Sequence, residues 1–279
     1  MAYKTIIVYL SKPSRAPQIM NVAINLALQN SSHLMGCHVM PEPIIPMYDI
    51  RATGLMQPVI QQQQELYKKN AGVLKKEFET AAKGAKLNYS WNCDDNFYYN
   101  YSTVISERMR GADIAIVSQY QENDGEGWKN LPARLTINSG RPVLVVPYDG
   151  QFEGMFNNVV IAWNNSRESA RAVFDAIPIL INSKNVKILS IHSDSDESPP
   201  HPHNNIGLAL KRHGVEVIVD SPVANERSMS EILISESQDF GADLLVMGCY
   251  GRPRLQEFIF GGVTRDILKS MPLPVLMSH

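Results

Sequence analysis

The chain has 279 residues, with 26 Lys and Arg against 28 Asp and Glu and a net charge of −2. That length allows two domains, and the near-neutral charge excludes non-specific nucleic-acid binding as the main task. With 44% hydrophobic and 19% charged residues, the composition is that of a soluble globular protein. No apolar run reaches membrane-spanning length. Cys37, Cys93 and Cys249 have no paired spacing, which excludes a disulfide framework and suits a reducing cytoplasm. The first residues enter a strand without the layout of a signal peptide, so neither a membrane nor a nucleic acid is expected as a partner.

In chain order, Thr5–Leu10 is a β-branched apolar run and reads as a strand. Ile19, Val22, Ala23, Leu26 and Ala27 then share one face of a helix over Ala16–Gln29. His33–Met40 reads as a second strand. Pro41–Pro58 carries four prolines and reads as a loop or lid. A long helical pattern, Gln61–Ala82, ends near Gly84, and Leu87–Trp91 alternates as a third strand. A helix over Ser102–Arg110 and strands at Ile114–Ser118 and Pro142–Pro147 follow.

The same order then recurs. Strands are expected at Asn158–Trp163, Val186–His192, Val215–Asp220, Leu244–Met247 and around Val275. Helices are expected at Ser166–Leu180, Ile206–Arg212 and Met229–Gln238, with a further helix start at Val263. Two echoes make the repeat visible in the residues. Gly111-Ala112-Asp113-Ile114 matches Gly241-Ala242-Asp243-Leu244, and Arg141-Pro142-Val143-Leu144 matches Leu273-Pro274-Val275-Leu276. Strands alternating with helices make parallel βαβ units. The expectation is a duplicated α/β domain, residues 1–150 and 151–279, joined around Tyr148–Phe156.

The second copy contains the stretch richest in possible chemistry. After the strand ending at Met247 come Gly248 and Gly251, a nine-residue spacer, and Gly261-Gly262 opening a helix at Val263-Thr264. Glycine permits close backbone approach, and a helix N-terminus offers free N–H groups, so phosphates could be held there. A tight turn plus a helix cap explains the same glycines by geometry alone.

This spacing, with the closing Pro272-Leu273-Pro274-Val275-Leu276-Met277, resembles the universal stress protein family. The resemblance implies two open five-stranded parallel sheets of order 3-2-1-4-5 with flanking helices, the adenine nucleotide alpha hydrolase-like fold. It also implies that the turn after strand one and the glycine loop after strand four face one crevice. The implied nucleotide site draws on Ala162, Trp163, Asn164, Ser166 and Ile191. Around the loop it adds Met247, Gly248, Tyr250, Gly251, Arg252, Gly261, Gly262, Val263 and Thr264. The implied ligand is ATP or AMP, with Mg²⁺ if ATP, and is not required for folding. Two positions depart from the family pattern. Gly262 stands where Ser or Thr is usual, and Asn164 stands where binding members carry Asp. Helix capping is an alternative role for both Asn164 and Ser166.

The first copy lacks this equipment. Ser118 and Gln121 stand where the second has Gly248 and Gly251, and Asp124, Glu122 and Glu126 would repel phosphate. The resemblance implies a cytoplasmic sensor or adaptor that binds an adenine nucleotide in its second domain, and the residues leave open whether it is an enzyme. An interaction scaffold without nucleotide and a slow ATP hydrolase are the alternatives. Pairing through the fifth strands within the chain, a homodimer, and unidentified protein partners are also expected.

Three further candidates have plainer explanations beside them. His201 and His203, with Asp194 and Asp196, form a weak metal-site candidate in a segment whose composition is that of a solvated loop. Cys249 is either a redox-sensitive thiol or a packing residue. The aromatic run Phe97–Tyr101 either stacks a base or drug-like ligand or belongs to the core. No nucleophile–base arrangement is visible, so no catalytic residue is assigned.

Overall fold

A computed structural model describes residues 2–43, 53–94, 96–98, 100–121, 130–192, 204–250 and 262–279, with backbone alone for 53–56 and 204. The first half runs β1 (Thr5–Tyr9), α1 (Ala16–Asn30), β2 (His33–Cys37), β3 (Met40–Pro41) and α2 (Thr53–Gly84). It continues through β4 (Tyr89–Asn92), β5 (Phe97–Tyr98), α3 (Tyr101–Met109), β6 (Ile114–Ser118), α4 (Leu131–Ser139) and β7 (Val143–Val146). The second half comprises β8 (Asn158–Ala162), α5 (Arg167–Leu180), β9 (Asn185–Leu189), α6 (Asn204–Arg212) and β10 (Val217–Asp220). It closes with α7 (Met229–Asp239), β11 (Leu244–Gly248), α8 (Gly262–Ser270) and β12 (Val275–Ser278).

Each half contributes five parallel strands in the order 3-2-1-4-5, but they do not form two separate sheets. They make one ten-stranded sheet, β10-β9-β8-β11-β12-β7-β6-β1-β2-β4. The junction is antiparallel, with Val275 opposite Val145, Leu276 opposite Leu144 and Met277 opposite Val143. All of these residues are fully buried. An apolar edge strand leaves unpaired N–H and C=O groups, and pairing the two edges satisfies them in dry surroundings. One apolar layer on each sheet face therefore runs through both halves. Ile6, Ile116, Leu144, Leu276 and Ile161 belong to one layer, and Ile7, Val143, Val275 and Leu245 to the other.

The sequence echoes have a common structural use. The Asp113 carboxylate accepts from the N–H groups of Lys4 and Thr5 at 2.6 and 2.9 Å, tying down the start of β1. Asp243 does the same for Asn157 and Asn158, at 2.8 and 3.0 Å, before β8. The connection between the halves is fastened along α1. Arg15, Gln18, Asn21 and Asn25 donate to the carbonyls of Tyr148, Gly150, Phe152 and Glu153 at 2.6–2.9 Å. These residues lie three or four apart, so they form one polar stripe of the helix. Gly154 has φ +72°, and a Cβ there would lie 2.5 Å from the Val22 carbonyl oxygen, so only glycine fits.

Two expectations need correction. The proline-rich segment was expected to be a loop to Pro58, yet α2 begins at Thr53 and continues through Pro58. Pro58 lies close enough to the helix start that its missing N–H costs one intrahelical bond. No helix was expected between Ser118 and Pro142, yet α4 occupies Leu131–Ser139. Its Thr, Ile and Asn are weak helix formers, and burial of Leu131, Ala133, Leu135 and Thr136 holds it. Pro132 in its first turn and Gly140 after its end, at φ +67°, are the signals that mark it.

Among the described residues, no helix is long and apolar enough to cross a membrane. The same residues contain no cluster of His, Cys, Asp and Glu suited to a metal. His201, His203, Asp194 and Asp196 lie outside the described residues.

Candidate functional site

The second half places its turns where the strand order reverses. β8 lies between β9 and β11, with Ala162 in register with both Leu189 and Met247. The turn Trp163–Ser166 and the turn Gly248–Tyr250 therefore leave neighbouring strands at the same end of the sheet. Open α/β sheets bind ligands at such a point.

The first turn is built by local hydrogen bonding. The Asn164 Oδ1 accepts from Ser166 N at 3.2 Å, and Asn165 adopts φ +57°. Asn and Asp favour this because the side chain bonds backbone two residues on. Ser166 is the N-cap of α5 and accepts from Ser169 N at 3.1 Å. The capping role of Ser166 is thus realised, while Asn164 is exposed at the mouth of the crevice.

Glu168 was not singled out in the sequence. It sits in the first turn of α5 with its side chain 3% exposed, its Oε1 held by Arg167 Nε at 2.5 Å. Burial alone pushes the carboxyl up. The Arg167 guanidinium, its own backbone N–H and the Ser166 hydroxyl outweigh that and hold it below 4.5. A carboxylate at a helix N-terminus also meets the positive end of the dipole. An acidic residue two positions after a serine cap is the sequence signal that marks it.

The second turn has a steric reason for its first glycine. A Cβ on Gly248 would lie 2.4 Å from Ser169 N and 2.5 Å from the Glu168 carbonyl carbon. The end of β11 and the first turn of α5 are in backbone contact, so Gly248 is required by packing whether or not a ligand binds. Cys249 is 1% exposed, with its N–H bonded to the Ser278 carbonyl at 2.9 Å and its thiol directed to the same oxygen. Burial, and then the negative Glu168, push this thiol well above its usual range. A thiolate is disfavoured there, which corrects the redox-sensitive reading in favour of packing.

Tyr250 turns the chain at φ +60°. It packs, like Ile191 and Val263, half-buried against the core layer that contains Met247. Gly251, Arg252 and Gly261 lie outside the described residues. Beyond them α8 starts at Gly262, which is exposed and has open space where a Cβ would go. A serine would fit there. Thr264, expected to face phosphate, is 4% exposed and belongs to the buried face of α8. Trp163 is 7% exposed with Nε1 buried and unpartnered, and the adjacent Ser190 Oγ is likewise buried without a hydrogen bond.

The first half keeps the topology and fills the corresponding point. Tyr9, Ser11 and Lys12 at the end of β1 meet Ser118, Gln119 and Tyr120 at the end of β6 around a cavity of only about 20 Å³. Gln119, at the position matching Cys249, is 3% exposed. Its Nε2 donates to the Leu268 carbonyl at 2.8 Å and the Lys269 carbonyl at 3.3 Å, at the end of α8 in the other half. Its Oε1 accepts from Tyr148 N at 3.1 Å. Sequence reasoning had no signal for this role, because both partners are distant in the chain.

The ends of β8 and β11 flank the reversal of strand order, with the first turn of α5 against Gly248, the place where open α/β sheets bind ligands. The family model of the universal stress proteins matches residues 155–279, and this part of the chain is a universal stress protein domain. The universal stress protein Slr1230 of Synechocystis sp. is 25% identical over 147 residues, 51% of this chain and 48% of its own length. The universal stress protein MJ0577 of Methanocaldococcus jannaschii is 34% identical over 47 residues, 17% of this chain and 29% of its own length. The matched stretches thus span about half or less of these relatives. A universal stress protein from Archaeoglobus fulgidus DSM 4304 has the same fold. It superposes with a TM-score of 0.71 at 14% identity, over 98% of this chain and 97% of that one.

Proposed function

We propose that the second half binds an adenine nucleotide, ATP or AMP, in the crevice between β8 and β11, and that the chain acts as a sensor or adaptor. The observation that carries this reading is the pairing of two different turns at the strand-order reversal, followed in the chain by α8, whose first residue Gly262 is exposed. Backbone N–H groups at that helix end suit phosphate oxygens. Asn164, exposed at the mouth, suits a ribose hydroxyl as an acceptor. Glu168 has its charge compensated by Arg167, which lowers its repulsion of a bound phosphate. A Mg²⁺ ion would accompany ATP through the phosphates. No residue is assigned to hydrolysis, so turnover is not part of this reading.

Calorimetric titration of the full chain with ATP and with AMP tests it. Saturable binding is expected, strengthened several-fold by Gly262→Ser, which adds a hydroxyl donor at the start of α8 and meets no steric obstacle. Gly262→Ser should leave the unfolding transition in place. Absence of binding at about millimolar nucleotide, roughly 4 kcal/mol of affinity, in both proteins overturns the proposal and leaves the scaffold role.

A further inference from the structure

Two features of the first half are longer than their counterparts in the second, where a single bridge between His192 and Val223 stands at the place of β3–β5. These are the two-stranded parallel sheet β3–β5 and the 32-residue α2, where the second half has the nine-residue α6. Together they enclose a pocket of about 570 Å³, open to solvent. That volume falls within the usual range for small-molecule sites, roughly 300–1,000 Å³. The pocket is separate from the nearly filled cavity between β1 and β6 of the same half.

We propose that this pocket binds a small molecule with a flat ring and a protonated amine. The floor is Phe97 and Tyr98 of β5, and the wall is Ile60 and Gln64, one turn apart on α2. Asn96 adds a second amide, and Glu42, exposed just after β3, is the charged residue among the described residues of the lining. Two aromatic rings suit a stacked planar group. The amides suit its polar edge, and the carboxylate favours a cation and repels an anion. Lys68 Nζ already lies 5.8 Å from the Phe97 ring centroid, so a ligand ammonium must displace that cation or sit toward Glu42 instead. An ammonium over an aromatic face is a favourable arrangement.

The floor is also held in place before any ligand arrives. The Tyr98 hydroxyl donates to the Asp94 carboxylate, and Arg108 Nη2 donates to the same oxygen at 2.6 Å. Arg108 is only 11% exposed in its side chain, and its Nη1 donates to the His38 carbonyl at 3.1 Å. The rigid end of β2 thereby fixes the orientation of Tyr98. A pre-organised aromatic lining in an open pocket is what a ligand site needs.

The test uses the full chain and three probes of equal ring size, namely tryptamine, indole and indole-3-acetate, followed by ligand-observed NMR titration. Tryptamine should bind saturably below about 1 mM and about tenfold tighter than indole-3-acetate, a factor equal to ~1.4 kcal/mol. Phe97→Ala should weaken tryptamine about tenfold through loss of stacking. Glu42→Gln, an exposed change that leaves the melting transition intact, should erase the preference for amine over acid. Should Phe97→Ala not fold, Glu42→Gln decides alone. The proposal is overturned by non-saturable tryptamine binding, or by wild-type affinity and preference in the folded variants.

Discussion

The two strand-order reversals of this molecule start from one plan and end differently. In the second half, Gly248 lets β11 touch the first turn of α5, and the turn beyond leads to the exposed start of α8. In the first half, Ser118 carries the Cβ that Gly248 lacks, and the next residue, Gln119, reaches into the other half. The turn that makes room for a neighbouring helix in one copy is an internal fastening in the other. Duplication allowed this, because the two copies share one sheet and one pair of core layers. The first half can lose its crevice and still be needed, since β7 covers the apolar edge of β12.

The largest way to break the comparison is at the paired positions 248 and 118. Gly248→Ala should cost about 3 kcal/mol, because the new Cβ meets helix backbone that has no side-chain freedom to yield. Ser118→Gly, the reverse exchange, should cost about 1 kcal/mol, mainly from chain entropy. Urea unfolding of both variants checks this. Equal losses would mean that the glycine is not required by α5.

A middle-sized effect is expected at Gln119. Gln119→Ala leaves the Tyr148 N–H and the α8 carbonyls without their buried partner, at a cost of about 2 kcal/mol. Cys249→Ala at the matching position removes only a small buried thiol and should cost about 1 kcal/mol. Denaturant midpoints in which Cys249→Ala is the more damaging change would contradict the assignment of Gln119 as the fastening.

The smallest effect is a difference in how the two halves respond to acid. In the first half, burial holds His38 below its ordinary 6.5 against the opposing hydrogen bond to Leu10, and Arg108 lowers it further. Its folded pKa is depressed, so the unfolded chain takes up the proton first and stability falls as pH drops below about 6.5. In the second half, Glu168 is held below 4.5. Its contribution is present above that pH and is lost as pH falls through the lower, folded value. The melting temperature should therefore decline in two stages on acidification. His38→Gln should remove the first stage, and Glu168→Gln the second. Melting curves whose acid dependence is unchanged in His38→Gln would show that the first stage has another origin.

Much of this protein was legible in its residues. Apolar runs and helical periodicity marked most of the strands and helices, because a buried parallel strand must be apolar throughout. The Gly-Ala-Asp echo marked the repeat, since each Asp performs the same local task at 113 and 243. The Gly248–Thr264 stretch marked which copy to examine. What the sequence could not supply was what each conspicuous residue touches. Gly248 is dictated by α5, Cys249 is sealed by β12, and Thr264 is buried. α4, β3 and β5 are too short to be held by local preference and exist because larger elements bury them. The joining of two five-stranded sets into one sheet, and the reach of Gln119 to α8, are contacts between residues more than a hundred positions apart. Local composition determines which segments are strands and helices, because that depends on near neighbours. Only the folded chain decides which edges meet and which distant side chains fasten them, because those outcomes depend on shapes that distant segments present to one another.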